Sequence, residues 1–431
     1  MNRVNIINDF GRLAGDHATY AFGDSDGAVR VARSATSVAC DIETGAAGSE
    51  RRWLVKAVSI SDGVKAHVLD PRLQGHATAI RDCLAGATRL VFHNSSYDVP
   101  ILSAAGLMRL DDIGKVTDTL VAARLAWPDF TTHSNRLGDV ATRVLGGDYD
   151  RWKGSLEAGW KAVTGKSKSA MFDELGVGSD AYVAYAAFDT IVTARVDEKL
   201  MDALAVALNP GLPSFRVADA RYLNDREQAV NRLLLRRSAT GIGFDDEAAD
   251  AIVDELRAKA SLHRQALTEA GVDPDAPASA IARETVTLLD QRGKLPNSWP
   301  RLKNGTPTTN KAWMAKLNHP LVDHAAALVQ AERFSSGYSA STAFLARDGV
   351  IRPQVNVLAA VTGRMSYGQP ALQQFPGEVR RMFAFDRPVT SFDWSSIEPV
   401  VAANLANDAG ILGFFEGGGD IYQPIAEAVG I

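Results

Sequence analysis

Cysteine is scarce in this chain: Cys40 and Cys83 are the only two in 431 residues. Two are too few for a disulfide framework or a cysteine zinc site. No apolar run reaches the roughly 18 residues of a membrane-spanning helix, and the opening MNRVNIINDF lacks the apolar core of a signal peptide. A reducing, cytoplasmic compartment is the expectation that follows. Positive charge is also short, with 46 Lys and Arg against 51 Asp and Glu and a formal net charge of −5. A chain of this balance that binds a polyanion must gather its cations locally. No Gly-x-Gly-x-x-Gly follows the first strand, which removes a dinucleotide-binding reading. None of the eight histidines makes a His-Glu-x-x-His pair, which removes a zinc-hydrolase reading.

What is present is ordinary for a soluble globular protein, 46% hydrophobic and 23% charged. The length allows two or three domains at about 100–200 residues each. Between Gln291 and Arg347 basic residues are concentrated, and within that stretch only Asp323 and Glu332 oppose them. Such a run is either a solvated face or a local surface for nucleic acid.

Alternation predicts strands over Ser37–Ile42, Trp53–Ile60 and Val64–Leu69, joined by short turns that favour an antiparallel meander. A short strand follows at Leu90–Phe92, and the chain then enters a helix through Asn94-Ser95-Ser96, which offers capping oxygens. A long helix is predicted from Ser179, as cap, to about Leu208, with stop signals in Asn209-Pro210. Beyond Pro213 the pattern turns helical, with candidates at Asp225–Ser238 and Asp245–Ala270, the latter closed by Gly271. Residues 291–310 read as loop, and strand character returns at Val350–Leu358 and Val389–Phe392. The fold class is α/β, compatible with a ribonuclease H-like architecture, followed by a mainly helical region.

Acidic residues mark the candidate site. Asp41 and Glu43 are two apart on the first strand, so their side chains share a face. Two like charges side by side are costly unless a cation neutralises them, which suggests a hard divalent metal with oxygen ligands. Asn94-x-x-x-Asp98 sits at a strand-to-helix junction, and Tyr185-x-x-x-Asp189 lies on one face of the long helix. Each element alone has a plainer reading, as a helix cap, a solvated charge or a core aromatic. Their order changes that. Asp-x-Glu, then Asn-x-x-x-Asp, then Tyr-x-x-x-Asp resembles the three motifs of the tyrosine-containing DEDD 3'→5' exonucleases of proofreading domains. Asp118-Thr119-Leu120 with Ala122-Ala123, and Ser134-Asn135-Arg136-Leu137, resemble that family's intervening helices. Asp118 is expected to start a helix rather than bind metal. The resemblance implies two Mg2+ or Mn2+ ions held by Asp41, Glu43, Asp98 and Asp189, with Tyr185 orienting the attacking water and Asn94 binding substrate. A frayed, single-stranded 3' end is the implied substrate.

A second resemblance covers the later half. Thr362-Gly363-Arg364-Met365-Ser366 with Pro370-Ala371-Leu372-Gln373-Gln374-Phe375-Pro376 is similar to a signature of family A DNA polymerases, those of the DNA polymerase I type. Asp393-Trp394-Ser395-Ser396-Ile397-Glu398 resembles that family's motif A, and Asp420-Ile421-Tyr422 fits the stretch beyond it. The resemblance implies that Asp393 is a palm metal ligand and that Glu398 packs under the incoming sugar. Arg364, Gln373 and Arg380 would face the primer-template. Pro399 and Val400 depart from the family's leucine and arginine, and Ser396 from its glutamine.

The family's fingers helix (motif B) and second palm aspartate (motif C) have no counterpart in these residues. The expectation is therefore a fragment, a split gene product or a truncated chain that hydrolyses 3' ends and does not extend them alone. The expected domains are an N-terminal extension (1–30), the exonuclease (31–210), a connecting and thumb region (211–350) and an incomplete palm (351–431). That order, without a 5'-nuclease domain before residue 30, is typical of phage polymerases. Two alternatives stand beside it: a stand-alone exonuclease with a vestigial tail, and a DNA-binding subunit that needs a second chain for motifs B and C.

Overall fold

The computed structural model describes residues 18–45, 53–129, 131–147, 174–209, 217–342, 348–375, 378–385, 388–390 and 392–419, with a few single positions between 149 and 211. The chain divides into two units, Met1–Ala384 and Phe385–Ile431, each taken here by itself.

The first unit is organised by a six-stranded sheet in the order β1-β4-β3-β2-β5-β6. Its strands are β1 (Thr19–Phe22), β2 (Val38–Thr44), β3 (Val55–Ser61), β4 (Lys65–Leu69), β5 (Leu90–Phe92) and β6 (Val116–Asp118). The β2-β3-β4 meander is antiparallel, as its short turns predict, whereas β1, β5 and β6 join in parallel. Parallel strands need crossovers, which are α1 (Ser25–Ser34), α2 (His76–Gly86) and α3 (Ser95–Ala104). Strand β1 pairs Thr19 with Lys65 through Phe22 with Val68. The sheet therefore takes in residues that the sequence assigned to an N-terminal extension.

Period-two alternation in β2 sorts its side chains to two faces. Val38, Cys40 and Ile42 enter one core with Ala28 and Val31 of α1 and Ile80 and Leu84 of α2. The alternate set, which includes Asp41 and Glu43, points the other way. On that side lies α6 (Asp180–Leu208), after α4 (Thr119–Ala126) and α5 (Leu137–Leu145). Tyr182, Tyr185, Phe188 and Ile191 of α6 form a second core with Ala57, Val68, Ala123 and Val140. The two-faced burial of α6 is what brings a carboxylate-bearing helix across the carboxylate-bearing strand. Both cysteines are buried free thiols.

Helix α7 (Val217–Thr240) is longer than the predicted Asp225–Ser238, because its first turns bury Ala220 against Leu204 and Ala126. Helix α8 (Asp246–Ala270) matches its signals: Asp245 accepts a bond from Ala248 N–H at 2.9 Å, and Gly271 closes it at φ 91°. With α9 (Ala278–Gln291) and α10 (Pro320–Thr342) it builds a separate core around Leu267, Ile281, Leu289 and Leu328. The basic stretch after Gln291 is partly neutralised from outside it, since Arg301 pairs with Asp290 at 2.6 Å. Arg347 lies outside the described residues.

The single strand expected over Val350–Leu358 is two. Proline lacks the N–H a ladder needs, and Pro353 separates β8 (Val350–Ile351) from β9 (Gln354–Asn356). Strand β8 pairs with β7 (Ile242–Phe244), whereas β9 pairs with β10 (Ser366–Gly368). No strand forms among the described residues of Val389–Phe392. Val389 and Phe392 are exposed and lack the packing that strand propensity reflects; β11 instead is Phe383–Ala384, paired with β7. The second unit contains α11 (Ile397–Ala406) and α12 (Ala409–Glu416). Among the described residues no helix is long and apolar enough to cross a membrane.

Candidate active site

The site is built around the end of β5. Asn94, the residue before α3, has φ 78°, a left-handed conformation that asparagine tolerates better than most residues. Its side chain does not cap α3, contrary to the sequence expectation. Asp118, at the end of the neighbouring β6, supplies the acceptors instead. Its carboxylate takes the N–H groups of Asn94 (3.0 Å), Ser95 (2.8 Å) and Leu120 (2.8 Å) and the Ser95 hydroxyl (2.6 Å). One buried side chain thus starts two helices, which agrees with a structural role. The main chain of Asp118 is clasped in turn by the Gln228 amide of α7, at 2.9 and 2.8 Å. Ser179 also fails as a side-chain cap; α6 begins after it without that bond.

This frame sets Asp98 one turn into α3, 3% exposed. It accepts a hydrogen bond from the Ile42 N–H, between Asp41 and Glu43. Burial first, and then the neighbouring charges of Asp41 and Asp118, hold the Asp98 carboxyl well above the usual carboxylate range. The thiol of Cys40, next to Asp41, is raised by burial and by Asp98 and Asp41. On α6, Tyr182 is fully buried, and burial followed by the charge of Glu43 raises its phenol.

Asp41 and Asp189 line a cleft of about 1000 Å³. His93 and Asn94 lie along it, with Arg124 of α4, Asn135, Arg136, Gln354 and Asn356. His93 is fixed by Thr119 Oγ1 at 2.8 Å and the Asn135 carbonyl at 3.1 Å. The Ser134–Leu137 side is held by Arg143, which stacks on Trp127 at 4.5 Å and donates to the Ser134 carbonyl at 2.6 Å. Part of the lining comes from β9, some 260 residues later in the chain. Gln354 Nε2 donates to Asn94 Oδ1 (3.3 Å) and Ser96 Oγ (3.1 Å), and Asn356 Oδ1 accepts from Ser96 at 3.4 Å.

Of the sequence-predicted exonuclease residues, Asp41, Asn94 and Asp189 line this cleft, and Asp98 is buried beside Asp41. Glu43 lies near Tyr182. Tyr185 is one turn before Asp189 on α6 and 7% exposed, packed in the helix core. The donor set is entirely carboxylate, the chemistry that suits a hard divalent cation. Among the described residues no three His, Cys, Asp or Glu side chains converge within metal-ligating reach. The four carboxylates share a neighbourhood rather than one coordination sphere. His93, Arg124, Gln354 and Asn356 were missed by sequence reasoning. Arg124 carried a weak signal, as the one charge in the apolar run Leu120–Ala126.

The residues of the second resemblance are placed separately. Arg364 is exposed in the loop between β9 and β10, its carbonyl accepting from Ala359 N–H at 2.9 Å. Gln373 is exposed, and its Oε1 takes the Tyr367 N–H at 3.2 Å. Arg380 is exposed on the turn Glu378–Met382. In the second unit, Asp393 is exposed in irregular backbone and Glu398 in the first turn of α11.

Residues 24–205 match the family model described as 3'-5' exonuclease, and residues 275–431 match DNA polymerase family A. DNA polymerase I of Pseudomonas aeruginosa is 27% identical over 353 residues, covering 79% of this chain and 36% of that protein. The DNA polymerase of Mycobacterium phage L5 is 24% identical over 363 residues, covering 81% of this chain and 58% of that protein. The chain thus spans about a third of the first relative's length and over half of the second's. Among solved structures, the POL domain of Pol1 from M. smegmatis, in complex with DNA primer-template and dNTP, aligns with a TM-score of 0.62 at 20% identity. That alignment covers 94% of this chain and 65% of that one. It is a likeness of fold.

Proposed function

Since the chain joins a 3'-5' exonuclease domain to family A DNA polymerase sequence, we propose that it removes nucleotides from DNA 3' ends at the Asp41–Asp189 cleft. The observation that supports this reading is that Asp41 and Asp189, from distant segments, line one cleft, with Asp98 buried beside Asp41. Asp41, Glu43, Asp98 and Asp189 would hold two Mg2+ or Mn2+ ions. Such ions would supply an activated water and stabilise the leaving 3'-oxygen. The protein's own part is positioning. Asp98, which accepts from the Ile42 N–H, would tie α3 to the strand that carries Asp41 and Glu43. Tyr185 would orient the water from the helix face it shares with Asp189. The cleft is open to a strand whose terminal bases are unstacked, so stacking rather than base reading would set the fit.

For the later residues we propose the roles that the second resemblance implies. Asp393 would be one palm metal ligand and Glu398 the sugar gate. Arg364, Gln373 and Arg380 would touch the primer-template. Motifs B and C have no counterpart within these 431 residues; the activity proposed for this stretch is the shortening of 3' ends, and extension would need those motifs as well. The division into exonuclease (to about 210), thumb region (211–350) and palm sequence (351–431) belongs to the same proposal, as does a cytoplasmic setting. The test is product analysis on a 3'-labelled single strand with magnesium. Early release of labelled nucleoside monophosphate is the expected result. Internal fragments, or no product, would sink the reading.

A further inference from the structure

Arg124 is a charge with no obvious purpose in the fold. It lies half-buried on α4, in a run of otherwise apolar residues, and lines the cleft. Desolvation lowers its pKa, but a guanidinium stays charged in any accessible pH range. Among the described residues it forms no ion pair. The one carboxylate whose charge acts on it is Asp118, which is already engaged by three backbone N–H groups and the Ser95 hydroxyl. Its hydrogen bond runs from Nη1 to the Val357 carbonyl, at 2.9 Å. That uses one donor of the five a guanidinium carries. A half-buried cation without a countercharge is costly, and a ligand that brings the negative charge removes the cost.

We infer that Arg124 binds an internucleotide phosphate of the single strand in the cleft, with Val357 of the loop after β9 setting the guanidinium's orientation. The inference rests on the reading of the cleft as a nuclease site. Arg136, also on the cleft, is exposed, whereas Arg124 is half-buried and tied to the Val357 carbonyl. Planar, multi-donor recognition of phosphate is what arginine does better than lysine. Asp41 and Asp189, which line the same cleft, repel a phosphate, so a cation fixed to the Val357 carbonyl favours passage of the strand's backbone on its own side. Because Val357 belongs to the loop that carries Arg364, the later half of the chain has a direct hold on how the strand enters the cleft.

The test is equilibrium binding of a 5'-fluorescein dT10 strand to the whole chain, in calcium, across a series of salt concentrations. Arg124→Gln keeps a donor for the Val357 carbonyl and removes the charge. It is expected to weaken binding about tenfold or more at low salt. It should also reduce the slope of log affinity against log salt by about 0.7, the value of one phosphate contact on a single strand. Arg124→Lys should keep the slope and lose part of the affinity. A Gln variant that melts like the wild type with an unchanged slope overturns the inference, as does loss of slope in the Lys variant alone. Binding is read apart from hydrolysis. A chain that shows the Arg124-dependent slope yet releases no nucleotide therefore refutes the nuclease reading and leaves the phosphate contact standing.

Discussion

At the candidate site, the buried Asp98 is 3% exposed and the cleft-lining Asp189 8%; in the unit after Ala384, Phe392 is 84% exposed, Trp394 72% and Leu405 85%. The first region sets Asp41 and Glu43 on a sheet packed from both sides and Asp98 on a helix whose start is held by the buried Asp118. The second presents Asp393 and Glu398 among exposed aromatic and aliphatic side chains. Burial holds functional groups in place and imposes an electrostatic penalty on them, which a ligand can relieve. Exposure does neither. The contrast is that the fold holds the acidic residues of the first unit in place, whereas Asp393 and Glu398 of the second are exposed.

The largest expected effect is on chemistry. Asp41→Ala with Glu43→Ala should reduce magnesium-dependent 3' hydrolysis by about a hundred- to a thousandfold, the scale of losing a group that acts in the transition state. Gel analysis of strand length decides it, and full activity in the double variant would remove the site. Packing gives the next contrast. Phe188→Ala empties a fully buried position and should cost about 3–5 kcal/mol, whereas Trp394→Ala should stay within about 0.5 kcal/mol. Equal losses of melting temperature would show that the second unit is as well packed as the first.

Asp118→Ala leaves the Asn94, Ser95 and Leu120 N–H groups without their acceptor. A loss of about 3 kcal/mol is expected in thermal or denaturant unfolding, from buried donors left unsatisfied. The smallest effect is a pH dependence. The folded-state pKa of Asp98 is raised above an ordinary value of about 3.9. The folded form then binds the proton more tightly, so this group's favourable contribution is complete at low pH. It is lost as pH rises from about 4 through the raised value, and flat above it. A carboxamide cannot ionise, so in chelator the melting-temperature advantage of Asp98→Asn over wild type should grow with pH. An advantage that stays constant with pH would mean Asp98 ionises normally.

Much of this was legible in the sequence because it is periodic. The meander, the long α6 and the shared faces of Asp41 with Glu43 and of Tyr185 with Asp189 follow from periods of two and 3.6. Caps were legible where the side chain acts on its own helix, as at Asp245, and misread where the acceptor comes from elsewhere, as Asp118 does for Asn94 and Ser95. The break at Pro353 was hidden in a run of β-branched residues, though proline itself was the signal. The part of the cleft's lining that comes from β9 could not be read at all. Gln354 and Asn356 meet Asn94 and Ser96 across some 260 residues, and nothing local in either segment records that meeting. Arg124 is intermediate: its oddity is local, but its partner, the Val357 carbonyl, lies 233 residues away.

The central claim is a nuclease site organised independently of synthesis, and one assay addresses it directly. A 5'-labelled primer-template is incubated with the chain and magnesium, with and without all four deoxynucleotides. The account predicts stepwise shortening of the primer from its 3' end, the same in both conditions. Primer extension when nucleotides are added, or a primer unchanged in both conditions, would contradict it.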